Sequence, residues 1–414
     1  MGLTYRVPHP EELEHFTRPV WRGFGEPSPS PEMIEDEAML WEPARSIGAL
    51  EGDEWVGGTG TFTMDLTLPG GAKVAAAGVT MVGVAPTHRR RGILTELMTR
   101  QMDDIASGPE PVVILTASEA VIYGRYGYGL ATQGVRLRLD PARAAFRADA
   151  PPPPAGRLRQ VTIDEARAAL PDAYEGLRSR RPGSVARSHA WWETHVFGDR
   201  PFRRDGGSAL YVLVHEDASG AVDGWATYRA VFDWGDRLPG STLRVEGFEA
   251  VDDAVQVALW RGLLDHDLYV EVDVFHAPLD DPLRWALRDP RRLRASEVTD
   301  WLWLRILDVP AALGPRWWGT AGAIVVEVVD TFRPASGGRF LIEADATGAG
   351  HVDPTDRPAD VVLGAEELGA VALGGVAPSV LARVGRVRAE RPGALATADA
   401  LFRSEVAPHC TTMF

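Results

Sequence analysis

At 414 residues the chain is long enough for two or three domains, and its 45% hydrophobic and 24% charged residues are the proportions of a globular protein. No apolar run reaches the roughly 20 residues a membrane helix needs, and the single cysteine, Cys410, excludes an internal disulfide and a cysteine-rich zinc site, so no metal is expected. The net charge of −15, from 43 basic and 58 acidic residues, argues against general nucleic-acid binding; it either steers a cationic substrate inward or serves solubility.

The first residues, Met1 to Arg6, lack the long apolar core of a secretory leader, so a cytoplasmic location is expected. Tyr5-Arg6-Val7 reads as a strand. Glu11 to Phe24 forms a helix with Leu13, Phe16 and Val20 on one face, which Pro19 should kink or end. Gly25 to Pro31 is a loop. Glu32-Met33-Ile34-Glu35-Asp36-Glu37 opens a second helix, whose carboxylates either attract a cation or form a solvated face. Arg45 to Leu50 and Trp55 to Leu68 pair as strands around Gly52-Asp53, and Pro69-Gly70-Gly71 turns the chain again.

The next stretch, Val79 to Gly129, is the most informative. An apolar strand ends at Ala85-Pro86, because proline cannot donate to a sheet ladder. A basic loop, His88-Arg89-Arg90-Arg91-Gly92, leads into a helix whose apolar positions are Ile93, Leu94, Leu97, Met98, Met102 and Ile105. Ser107-Gly108-Pro109 ends it, and Val112 to Leu115 is a second strand. The first amides of a helix have no partner inside it, and the dipole adds partial positive charge there. A phosphate at that point meets several N–H donors, with Gly92 allowing close approach and three arginines raising the potential.

Ala150-Pro151-Pro152-Pro153-Pro154-Ala155-Gly156 is a stiff linker, so a new domain is expected near Arg157. Tyr211 to His215, Gly224 to Val231 and Leu243 to Ala250 read as strands, followed by a helix from Asp252 to Leu268 and a strand from Tyr269 to Phe275. The order repeats that of the first third, but Asp252-Asp253-Ala254 stands where the arginine-glycine loop was, and two carboxylates there repel a pyrophosphate. Trp301 to Val309 is an alternating strand. Beyond it, Ile324 to Val329 and Phe340 to Glu343 are strands, and Ala365 to Leu373 and Ala394 to Phe402 are helices. The pairs Trp191-Trp192 and Trp317-Trp318 serve packing or a substrate platform.

Arg89-x-x-Gly92 after a strand resembles the coenzyme A pyrophosphate loop of the GNAT N-acetyltransferases. The run Val82-Gly83-Val84-Ala85-Pro86-Thr87-His88-Arg89-Arg90-Arg91-Gly92-Ile93-Leu94 is closer still to the Eis (enhanced intracellular survival) family, in which Leu94 replaces the usual Gly or Ala. Ala117-Ser118-Glu119 with Ile122-Tyr123-Gly124-Arg125-Tyr126-Gly127-Tyr128-Gly129 resembles that family's second signature. Trp303-Leu304-Arg305-Ile306 with Val309-Pro310-Ala311-Ala312-Leu313 resembles its later domain junction.

The resemblance implies an α/β protein of mixed sheets. It has tandem GNAT domains, residues 1–150 and 151–298, followed by a sterol-carrier-protein-like domain, 299–414, with only the first GNAT domain holding coenzyme. It implies acetyl-CoA between the splayed strands Val79–Val84 and Val112–Ala117. Val82, Gly83 and Val84 then hold the acyl group through bulge amides, and Arg89, Arg90, Arg91, Gly92, Ile93, Leu94 and Thr95, with Ser118 and Glu119, bind the rest. It also implies Tyr123 as general acid, with Tyr126 and Tyr128 as neighbours in the same turn, and the terminal carboxylate of Phe414 as base. The acceptor is an amine: a small molecule of aminoglycoside or polyamine type, or a lysine side chain. Met413 stands where better-known members carry an acidic residue, which weakens the case for an aminoglycoside. A homo-hexamer is implied as well. Two other readings stay open: a scaffold that binds an apolar ligand, and an N-acyltransferase using longer acyl-CoA, as in the N-myristoyltransferases.

Overall fold

The computed structural model describes residues 2–26, 28–235 and 239–414, and the chain divides into two compact units. The first is Met1–Ala131 with Leu302–Glu405 and Met413–Phe414; the second is Thr132–Trp301 with Val406–Thr412.

The first unit holds two sheets. The larger runs Leu3–Arg6, Ile47–Glu51, Glu54–Thr67, Lys73–Val84, Val112–Thr116, Leu302–Ile306, Gly129–Leu130 in spatial order. All neighbours are antiparallel except Lys73–Val84 with Val112–Thr116, which the Ile93–Ala106 helix connects. That helix buries Ile93, Leu97, Met98, Met102 and Ile105, the apolar face its periodicity predicts. Gln101 is buried on the same face. Its amide donates to the Gly60 carbonyl at 3.0 Å and to Thr61 at 2.8 Å, and its carbonyl accepts from Thr59 at 3.0 Å, pinning the helix to the sheet with every polar atom satisfied.

The Leu13–Phe24 helix continues past Pro19, so of the two expected effects, a kink or an end, the end does not occur. Phe16 is fully buried between Trp41 and Trp55, each with its ring centroid 5.6 Å away. That packing outweighs the hydrogen bond proline removes. The helix stops at Gly25, whose left-handed φ of +74° closes its C-terminus.

The smaller sheet of this unit runs Gly350–Pro354, Gly338–Ala344, Gly322–Val329, Val361–Gly364, Val387–Ala389. The helices Ala365–Val371, Pro378–Ala382 and Ala394–Phe402 follow or flank it. Trp318 is fully buried against Phe402.

The second unit is one sheet in the order Arg294–Asp300, Gln133–Leu139, Tyr269–Ala277, Ser241–Ala250, Val222–Val231, Tyr211–Asp217, Gly156–Val161. Its one parallel pair, Ser241–Ala250 with Tyr269–Ala277, is joined by the Asp253–Leu264 helix, so the strand–helix–strand order seen in the sequence repeats in three dimensions. Leu137, Leu243, Val272 and Trp260 form its core. Trp191 and Trp192 are buried packing residues here.

The sheets do not follow the expected division of the chain. Gln133–Leu139, placed before the proline linker, pairs with Tyr269–Ala277 in the second sheet. Leu302–Ile306, placed at the start of the third domain, pairs with Val112–Thr116 in the first. Residues 151–154 carry no regular structure, but the chain has already changed sheets before them. An alternating run announces a strand; it does not say which edge the strand joins.

Candidate active site

The parallel pairing of Lys73–Val84 with Val112–Thr116 ends at Gly78 and Ile114. Beyond that point the two strands part, because the first pairs on its other side with Glu54–Thr67 and bulges there. Gly60 faces Thr80 and Gly58 faces Gly83, so Met81 and Val82 together oppose Thr59. Met81 takes a φ of +53°. A bulge bends its strand and breaks the regular ladder locally, freeing backbone groups at the edge of the opening.

A cleft of about 700 Å³ lies in this region. Val82, Gly83 and Val84 form one wall. Arg89, Arg90, Gly92, Ile93, Leu94 and Thr95 line it where the loop enters the helix. Ser118, Glu119 and Tyr123 line it as well, with Ile122, Arg125 and Tyr126. Three residues of the Leu13–Phe24 helix, Val20, Gly23 and Phe24, complete it. Sequence reasoning placed Val20 on the helix's apolar face but gave no sign that the face meets the cleft. The contact is long-range: a Cβ on Gly83 would lie 2.7 Å from the Val20 Cα, so only glycine fits there.

Gly92 has φ +79° and starts the helix with no side-chain cap, so the first helical amides are left for another acceptor. Arg90 also takes a left-handed backbone, φ +63°, at a cost of about 1 to 2 kcal/mol for a non-glycine residue. Arg89 donates to the Gly23 carbonyl at 3.1 Å. Arg91, expected on the pyrophosphate, is not among the lining residues. Its guanidinium pairs with Glu51 at 2.7 Å, and Glu51 also meets His88 at 3.0 Å. Arg91 therefore braces the loop, and its hydrogen bond holds the Glu51 carboxyl down at about 2, with the His88 hydrogen bond as the second cause.

The three tyrosines of the glycine-rich turn separate by burial. Tyr123 and Tyr126 line the cleft, 5% and 4% exposed; Tyr128 is wholly buried and does not reach it. Burial pushes the Tyr123 phenol up to about 12, with a Ser118 hydrogen bond pulling the other way. Tyr126 Oη lies 3.4 Å from Thr95 Oγ1.

Phe414 is outside the cleft lining but close to where the strands part. Its backbone oxygen accepts from Thr116 Oγ1 at 3.4 Å. Its ring rests on Gly78, where an added Cβ would be 3.2 Å from a ring carbon. The acidic helix Pro31–Leu40 does not line the cleft either. Asp36 on it is 3% exposed, whereas Glu32 and Glu35 are exposed to solvent.

In the second unit the corresponding helix start is closed. Asp252 caps it, accepting from the Val255 amide at 2.9 Å. A carboxylate already occupies the place a phosphate would take.

Residues 4–131 and 183–306 each match the model of an acetyltransferase (GNAT) domain, and residues 309–411 match that of a sterol carrier protein domain. The chain is 40% identical to an uncharacterized N-acetyltransferase of Streptomyces coelicolor, across 99% of this chain and 98% of that one. It is 35% identical to the N-acetyltransferase Eis of Mycobacterium tuberculosis, across 87% of this chain and 86% of that one. The crystal structure of Eis1 from Mycobacterium abscessus is similar with a TM-score of 0.87 and 36% identity, over 99% of this chain and 100% of that one.

Proposed function

The chain belongs to the Eis family of GNAT N-acetyltransferases, and from that premise we propose that it moves the acetyl group of acetyl-CoA to a primary amine, with Tyr123 as acid and the Phe414 terminal carboxylate as base. The observation that carries this reading is the shared cleft: parted strands, an uncapped helix start behind Gly92, two arginines and a buried tyrosine face one space. The donor set fits a pyrophosphate thioester.

Acetyl-CoA bound there supplies an acyl group already activated as a thioester. The amides after Gly92, with Arg89 and Arg90, hold the pyrophosphate. Val82, Gly83 and Val84 orient the acyl end through the bulge, and Ser118 and Glu119 bound the same space. Tyr123 holds a proton at its phenolic oxygen throughout the neutral range, since its ionised form is disfavoured by burial. The carboxylate of Phe414 accepts the amine proton. An α-carboxyl has a pKa of about 3.3–3.7, so its position matters more than its basicity.

The acceptor is a small-molecule amine of aminoglycoside or polyamine type, or a lysine side chain; the net charge of −15 favours a cation in each case. A homo-hexamer rests on the family resemblance alone. A thiol-release assay with acetyl-CoA against polyamines, aminoglycosides and a lysine peptide tests the reading. No release with any of them would sink it, and release only with a longer acyl-CoA would make the protein an N-acyltransferase of another chain length.

A further inference from the structure

The glycines of the tyrosine turn have a structural explanation that leads beyond the cleft. A Cβ on Gly127 would run into the Arg305 guanidinium, and one on Gly129 into the backbone carbonyl of Glu366. A Cβ on Gly124 would lie 3.0 Å from the Glu366 carboxylate. The turn is thin because the sterol-carrier-like fold is packed directly behind it.

One direct ring contact and one relay through Arg305, on the Leu302–Ile306 strand, tie that fold to the turn. Arg305 donates through Nη1 to the Tyr126 carbonyl and through Nη2 to Asp330 at 2.6 Å, and both charged side chains are shut off from water. Asp330 is held in turn by the amides of Phe332 at 3.0 Å and Arg333 at 2.8 Å, which fix the corner it starts. The Phe332 ring meets the Tyr126 ring edge-on, with centroids 5.0 Å apart. Tyr126 is thus held at its ring by Phe332 of that corner and at its carbonyl by Arg305, which the corner's Asp330 fixes in turn. Within the turn, the Tyr128 amide donates to the Tyr123 carbonyl at 3.2 Å, and the Tyr123 and Tyr128 rings meet edge-on at 5.9 Å. A shift at Tyr126 is therefore passed to Tyr123 through backbone.

We propose that the Asp330–Arg333 corner of the sterol-carrier-like fold, through Phe332 and the Asp330–Arg305 pair, positions the tyrosine turn so that Tyr123 faces the reacting group. Phe332, Asp330 and Arg305 are positioning residues: Phe332 and Arg305 touch Tyr126, and Asp330 holds Arg305. The sterol-carrier-like fold is then a part of the acetyl-transfer machinery by packing. The inference rests on Tyr123 being the acid.

The test uses the full-length enzyme with four forms: wild type, Phe332→Ala, Tyr123→Phe and the double variant. Phe332 is only partly buried, which makes its removal safer than breaking the Asp330–Arg305 pair. Misplacing a catalytic group by about 1 Å can cost on the order of 10²-fold, so Phe332→Ala is expected to lower kcat by roughly 10- to 100-fold. KM and calorimetric affinity for acetyl-CoA should stay within about twofold, because the loop at Arg89–Gly92 is untouched. Phe332→Tyr should restore most of the turnover. In the double variant the losses should not multiply, since Phe332 has nothing left to position. If Phe332→Ala does not fold, Phe332→Leu takes its place with the same comparisons. Normal kcat in the folded Phe332 variant, or losses that multiply in the double variant, overturns the proposal. Normal kcat in Tyr123→Phe alone overturns the assignment of the acid instead, whatever Phe332 does.

Discussion

Gly92 meets two demands, a left-handed φ of +79° and an open helix start. Asp is among the residues that tolerate such a backbone and is also a good helix N-cap. Gly92→Asp should therefore leave the fold standing while filling the site with a carboxylate. The second unit shows the same solution, with Asp252 bonded to the amide three residues on. Lost charge-assisted hydrogen bonds are worth about 1.5–3 kcal/mol each, so acetyl-CoA affinity in calorimetry should fall by at least ~10-fold, with the melting temperature little changed. Unaltered affinity would place the pyrophosphate elsewhere. Tyr123→Phe keeps the ring and the edge-on contact with Tyr128 and removes only the proton. Turnover should drop by roughly 10²- to 10⁴-fold, the usual share of a general acid. Because burial holds the phenol near 12, wild-type kcat should show no alkaline limb from this group near pH 10. A limb at 10 that disappears in the Phe variant would mean the hydroxyl is open to water.

At the scale of elements, the last residues act as a placed, irregular tail. The Phe414 ring sits on Gly78, and its backbone oxygen meets Thr116 where the parallel pair opens. A short C-terminal tag displaces the carboxylate and keeps the ring, whereas Phe414→Ala keeps a carboxylate and frees the tail to fray. Both should depress kcat and spare acetyl-CoA binding. Full activity in a tagged enzyme shown by mass to be intact would assign the base elsewhere. The strand, basic loop, helix and second strand were legible because each carries a local signal: apolar alternation, Pro86, Gly92, and the 3.6-residue spacing up to Ile105. The pairing of Arg91 was not legible because adjacency to Arg89 and Arg90 says nothing of Glu51, forty positions earlier. Val20 and Gly23 went unread as site residues for the same reason, and so did the sheet membership of Gln133–Leu139. Pro19 does not end its helix because propensity is local and the Phe16 cluster is not. What the sequence hides throughout is which distant surfaces meet.

For the whole molecule, the resemblance to the family leads to a homo-hexamer, and light scattering that returns a 44.9 kDa species at micromolar concentration would refute it. Stability against pH follows from the chain itself. His409 is buried beneath His276, their rings stacked at 4.5 Å, and His276 stacks on Trp301 at 4.1 Å. Burial holds His276 down to about 4, and His409 lies well below the ordinary value, its burial reinforced by His276 and Arg181. Both rings stay neutral in the folded state at a pH where the unfolded chain takes up protons. The unfolded state then binds more protons as pH falls from about 6.5, the ordinary value for histidine, so stability should decline steadily from there to about 4. Asp281 opposes this: burial raises its carboxyl, so the folded state gains that proton first and is favoured slightly on acidification. Glu12, Glu51 and Glu165, each held near 2 by hydrogen bonds, add their loss only once pH drops below about 4.5, the range in which unfolded glutamates protonate. The two windows separate the causes. Melting temperature plotted against pH should slope downward between 6.5 and 4.5 in the wild type, and His276→Phe or His409→Phe should flatten that slope even where it lowers the plateau. An unchanged slope in both variants would mean that protonation elsewhere governs the acid limb.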